Sequence, residues 1–149
     1  GIVTAQAGQI IHLDESTYLE VLSPYSEVPL DEPNEKSIAT RLVYKETSML
    51  LTGDASKFNE YDMVSVYGAS LESEVLKLGH HGSKTSSSEL FLDTVRPEFV
   101  VVSAGCDNRF SHPSDVVVDR VKIRKIKMLD TCSFGDIVFT SNGTRWKLE

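Results

Sequence analysis

Four side chains in this sequence are of the kinds that hold divalent metal ions, and they fall in three short stretches. Asp54 closes "LLTGD", His80 and His81 stand side by side in "LKLGHHGS", and His112 precedes Pro113 in "RFSHPS". Carboxylate and imidazole together suit Zn2+, Mn2+ or Fe2+ better than Ca2+, which takes oxygen ligands alone. Ions held in this way support hydrolysis, by activating water and by drawing charge from the group under attack. The chain has four histidines, and three of them are in these stretches. The fourth, His12, lies inside an alternating strand pattern and reads as structural or exposed. Each candidate alone also has a plainer reading. Asp54 could cap a helix beginning at Ala55, "HHGS" could be a turn, and His112 could be an ordinary loop residue before proline.

Their joint placement gives the candidates weight. Asp54 follows the apolar run "MLLTG", the histidine pair follows "EVLKLG", and His112 lies shortly after "FVVVSAG". In open α/β sheets, sites gather outside the carboxyl ends of the strands. The strands expected from apolar and β-branched patterning run over 8–13, 17–23, 37–45, 48–53, 73–78 and 99–105, with a closing hairpin of 135–139 and 144–148 around Asn142-Gly143. Helices are expected over 55–67, over 86–95 from a Ser86-x-x-Glu89 capping box, and over 114–123 from Ser114. Residues 24–36, rich in proline and acid, read as a loop. The expected class is a layered α/β domain.

The 149 residues suit one domain, 1–149. No apolar run is long enough to span a bilayer, and no signal peptide opens the sequence. The net charge of −7 argues against strong non-specific binding to nucleic acid. Lys122, Arg124, Lys125 and Lys127 form one basic cluster, read as a solvated helix end. Cys106 and Cys132 make no CxxC zinc motif and no disulfide framework, so two free thiols are expected.

"LLTGDA", "EVLKLGHHGSKTSSSELFLDTVRPEFVVVSAGCDNRFSHPS" and "GDIVF" resemble the metallo-β-lactamase superfamily, and within it the hydrolase domain of ComEC-type competence DNA-uptake proteins. The resemblance spans nearly the whole chain. It implies half of an αββα sandwich, a mixed sheet with helices on one face. It implies a two-metal centre, Zn2+ or Mn2+, with Asp54 bridging, His80 on one ion, His112 on the other, and His81 facing substrate or handling a proton. Which histidine of the pair ligates stays open. Ser83, Lys84 and Asn108 are the substrate-facing candidates, with Thr85 beside them. The reaction implied is phosphodiester hydrolysis, with DNA as one substrate. A lactonase, thioesterase or choline-phosphate esterase and a non-catalytic module of the same fold are the alternatives.

The chain departs from the family pattern in one large respect: the HxHxDH motif is not in these residues. The family carries that motif in the N-terminal half of the fold. The chain is therefore expected to be the C-terminal half, partnered by the N-terminal half or by another copy of itself. The isolated chain is expected to be inactive. Its setting would be prokaryotic, on the extracytoplasmic face of a membrane protein or in the cytoplasm. Two smaller departures are Ser111, where glycine is common before His-Pro, and Asp130, where arginine is common before threonine.

Overall fold

The computed structural model describes residues 4–25 and 33–149. Residues 26–32 of the expected 24–36 loop lie outside the described residues, and Pro33–Lys36 forms a single 3-10 turn. Seven strands make one sheet in chain order: β1 (Ile10–His12), β2 (Thr17–Ser23), β3 (Ala39–Tyr44), β4 (Thr47–Leu51), β5 (Val75–Lys77), β6 (Phe99–Val102) and β7 (Lys127–Asp130). β1 to β4 run antiparallel, and β4 to β7 run parallel. The connections dictate this switch. The tight turn at Lys45-Glu46 can only reverse the chain. The crossovers through α1 (Lys57–Tyr67), α2 (Glu89–Val95) and α3 (Asp115–Ile123) carry it back to start the next strand in the same direction.

Alternation along the strands sorts residues between two faces. Leu50, Leu76 and Val100 stand in register on one face, each no more than 1% exposed. There they meet Met63 of α1, Phe91 and Leu92 of α2, and Val117 and Val121 of α3. Burial of each large aliphatic side chain contributes roughly 1.5–3 kcal/mol. The helices thus cover one face of a mixed sheet, as expected.

The other face carries a cross-strand row of Ile11, Leu19, Leu42, Met49, Val75 and Phe99. The hairpin of β8 (Phe139–Ser141) and β9 (Trp146–Leu148) lies over its β4–β6 end. Phe139 meets Phe99 edge-on at 5.5 Å, Thr47 and Ser141 share a 2.8 Å hydroxyl contact, and Trp146 Nε1 donates to Ser48 O. Toward β1 the row opens to solvent, with Ile11 48% exposed.

Several expectations need correction. The cap of α1 is Ser56, whose hydroxyl accepts from Phe58 N while Asn59 returns a bond to the Ser56 amide. Asp54 is therefore not the cap. The Ser86–Glu89 capping box does not form, because Ser87 takes φ 52 and interrupts any helix started at Ser86. Ser88 caps α2 instead, and Ser86 donates to Gly79 O at 2.7 Å. The basic cluster is not one helix end. α3 stops at Ile123, Lys125 turns at φ 56, and Lys127 begins β7, a strand absent from the expected set. Arg124 is paired with Asp93 and Lys127 with Glu98, so much of the positive charge is neutralised locally. Cys106 and Cys132 are joined in a disulfide, with Cα atoms 4.8 Å apart, and are not free thiols. The closing hairpin begins later than 135, at Phe139.

Candidate metal centre

Because β4, β5, β6 and β7 are parallel, their carboxyl ends lie along one edge. Asp54 leaves β4, His80 and His81 leave β5, His112 lies on the segment leaving β6, and Thr131 and Cys132 leave β7. The sheet itself delivers the candidate ligands to one place. His12 stands on the edge strand β1, exposed, beside Tyr18 and three strands from β4.

Three loops are cross-tied there. The His80 amide donates to Gly53 O at 3.1 Å, which ties the β5 loop to the β4 loop. The Ser114 amide donates to Gly82 O at 3.0 Å, which ties the β6 segment to the histidine pair. His80 (φ 46, ψ 46) and His81 (φ 56, ψ 25) are both left-handed. That conformation disfavours each by about 1–2 kcal/mol, and it persists because the flanking packing over-determines it. Ser111, at φ 55, is also left-handed, which accounts physically for a preference for glycine at this position.

Within the cluster, the His80 and His112 rings are 5.9 Å apart and the His80 and His81 rings 6.4 Å apart. His81 Nε2 lies 3.6 Å from Asp54 Oδ1. His81 Nδ1 makes a short hydrogen bond to Ser103 O. A carbonyl can only accept, so Nδ1 carries a proton and donates it, which leaves Nε2 as the atom turned toward Asp54. Phe110 stacks on His112 at 5.7 Å and is 63% exposed. A cavity of about 470 Å³ opens beside His81 and His112, walled by Phe110, Thr131 and the Cys106–Cys132 bridge.

The metal question can be tested on two buried atoms. His80 Nδ1 and His112 Nδ1 are buried and have no hydrogen-bond partner. Buried polar atoms are rarely left so, and each calls for a partner. Imidazole nitrogen and carboxylate oxygen are the right donors for a borderline transition ion. Their number falls short: among the described residues no group of three or more His, Cys, Asp or Glu side chains is arranged to hold an ion. The residues fit part of a metal site.

The substrate-facing candidates are placed as follows. Ser83 is buried and its hydroxyl meets Thr85 Oγ1 at 3.0 Å, Lys84 is exposed, and Asn108 is folded back onto its own loop. Sequence reasoning passed over Lys77 and Glu60. Burial of Lys77 holds its ammonium below the usual lysine range, against a smaller upward pull from Asp54. Glu60 is 1% exposed and receives the Ser87 and Ser88 amides. Its position in α1, three residues after Lys57, reads in sequence as an ordinary solvated helix pair and carried no signal of burial.

His112 titrates below the ordinary imidazole value, first from burial and then from repulsion by His80 and His81. A depressed folded-state value means that protonation disfavours the folded chain. Stability is therefore expected to fall as pH drops from 7 through the ordinary imidazole range toward 5. Urea midpoints at the two pH values check this, and His112→Ala should shrink the difference.

No protein-family model matches the chain. It is 42% identical over 120 residues to Competence protein ComA of Neisseria gonorrhoeae, covering 80% of this chain and 17% of that protein. It is 33% identical over 141 residues to ComE operon protein 3 of Bacillus subtilis (strain 168), covering 93% and 17%. Recombination protein 2 of Haemophilus influenzae matches at 33% over 123 residues, covering 83% and 15%. The homologues of this chain thus include competence proteins. The chain spans about a sixth of the length of each of these relatives. Among solved structures, a protein of Parabacteroides distasonis ATCC 8503, provisionally named a metal-dependent hydrolase, superposes with a TM-score of 0.54. The identity is 13%, over 85% of this chain and 56% of that one, which speaks to the fold alone. In the described residues no helix is long and apolar enough to cross a membrane.

Proposed function

We propose that the chain supplies half of a metal-dependent hydrolase site acting on phosphodiesters, DNA among them, as part of a competence-related protein. The observation that carries this is the pair of orphaned, buried imidazole nitrogens on His80 and His112, at the strand-end edge that also bears Asp54 and His81. Asp54, His80 and His112 would supply this chain's share of the ligands to Zn2+ or Mn2+, the remainder coming from outside it. Divalent ions in that position would supply Lewis acidity toward a phosphoryl group and lower the pKa of water.

The chain's own residues do the rest. His81, fixed by Ser103 O, turns Nε2 toward Asp54 and would be the proton-handling group beside it. The cavity beside His81 and His112 is where a substrate group would sit. The short ligand count implies completion from outside this chain, and the apolar row running from Leu42 to Ile11 on the open sheet face would receive the complementary half or a second copy. The non-catalytic reading is favoured by one observation, the lack of a complete ligand group among the described residues.

Calorimetry with Mn2+ separates the two. We expect weak binding that Asp54→Ala abolishes, together with no hydrolysis of bis(p-nitrophenyl) phosphate by the chain alone. Unchanged Mn2+ affinity in Asp54→Ala would remove Asp54 from the site. Absence of any Mn2+ binding would favour the non-catalytic module. Metal-dependent turnover by the 149-residue chain, lost in His80→Ala, would show the half-site reading to be wrong.

A further inference from the structure

We infer that the Cys106–Cys132 disulfide is the positioning device of the His112 loop, and that its reduction releases His112 from the site edge. This inference rests on the metal reading above only for its second readout.

The segment from Ser103 to Ser114 contains no regular helix or strand, and Gly105, Cys106, Asp107, Arg109, Phe110 and Ser111 are all exposed. A loop of that length, with so little burial, has little to hold it. One internal clasp and three anchors do. Asn108 clasps the loop internally: its amide nitrogen donates to Gly105 O and His112 O, and its Oδ1 accepts from the His112 amide at 2.8 Å. That clasp shapes the loop but does not anchor it to the sheet. Thr131 supplies an anchor at the loop's root, where its hydroxyl accepts from Ala104 N and donates to Ala104 O. The disulfide supplies a second, joining Cys106 covalently to the residue after Thr131. Ser114 secures the far end through Gly82 O. Thr131 and Cys132 follow β7, which pairs with β6 in register, so the bridge fastens the loop to the neighbouring strand end. It also walls the cavity that His81 and His112 line.

Reduction by a dithiol breaks the Sγ–Sγ bond, delivers two electrons and two protons to give two thiols, and leaves the dithiol as its own disulfide. The site-forming state is the oxidised one, which persists in oxidising compartments.

The test uses the whole chain without metal, oxidised, reduced with dithiothreitol, and as Cys106→Ser/Cys132→Ser. Amide hydrogen exchange is followed by mass spectrometry. Peptides over 104–112 should exchange at least tenfold faster in the reduced chain and in the double variant, with α1 and α2 changed by less than twofold. Equal exchange over 104–112 in all three forms would overturn the inference. Acceleration throughout the chain would overturn it too, by making the bridge a global staple. Mn2+ calorimetry on the oxidised chain and the double variant, neither of which has a free thiolate to capture the ion, gives the second readout. Affinity should fall tenfold or more in the variant, and equal affinity would contradict a positioning role. If neither form binds Mn2+, the metal reading fails while the exchange result still decides the tether.

Discussion

Glu60→Ala should destabilise the chain by about 2–5 kcal/mol, the loss expected when two buried amides are left without acceptors. The Glu60 carboxylate lies inside the core and takes the hydrogen bonds of Ser87 N and Ser88 N. Burial raises its pKa, and the two serine amides oppose that rise. Alanine would remove both acceptors and leave a void. The damage should also travel. Ser86, next in line, donates to Gly79 O, the residue before His80. Urea unfolding measures the loss, and His80 imidazole resonances report the displacement. Glu60→Gln keeps one acceptor oxygen and should lose roughly half as much. A Glu60→Ala chain with wild-type stability would show that solvent reaches these amides.

Gly82→Ala should disturb the candidate site more directly. Gly82 has φ +80, and a Cβ there would meet Pro113 Cβ at 2.7 Å and Pro113 Cα at 3.2 Å. Pro113 is covalently next to His112, so any relief of the clash pushes the His112 loop away from the histidine pair. Overpacking costs about 1–3 kcal/mol, and alanine at positive φ adds to it. The expected result is a destabilised but folded chain with its His112 and His81 resonances shifted and its Mn2+ affinity reduced at least tenfold. Gly105→Ala is the control. A Cβ there would meet nothing within 4 Å, so this variant should behave like the parent. If Gly82→Ala leaves the histidine resonances unmoved, the Gly82–Pro113 contact does not set the position of His112.

The sequence alone determined the α/β class, the run of strands from β1 to β6, the closing Asn142-Gly143 turn, and the strand-end placement of Asp54, the histidine pair and His112. Those features are local. Apolar alternation sets which residues face inward, and a ligand-capable residue just past a strand's end needs no long-range information to be noticed. The tertiary structure decided what depends on pairing between distant segments. β7 was illegible because "KIRKIKMLD" carries no clear period of two, and its charges fit a helix end equally well. It becomes a strand only because β6 offers it an open edge. With β7 unseen, nothing placed Cys132 beside Cys106, and the bridge was missed for that reason. The Ser86–Glu89 box looked like a helix start because its spacing is right, yet a carboxylate from α1 holds the Ser87 and Ser88 amides where the helix would begin. Hydrogen bonds between residues 27 and 28 positions apart outweigh a local capping preference worth about 1 kcal/mol.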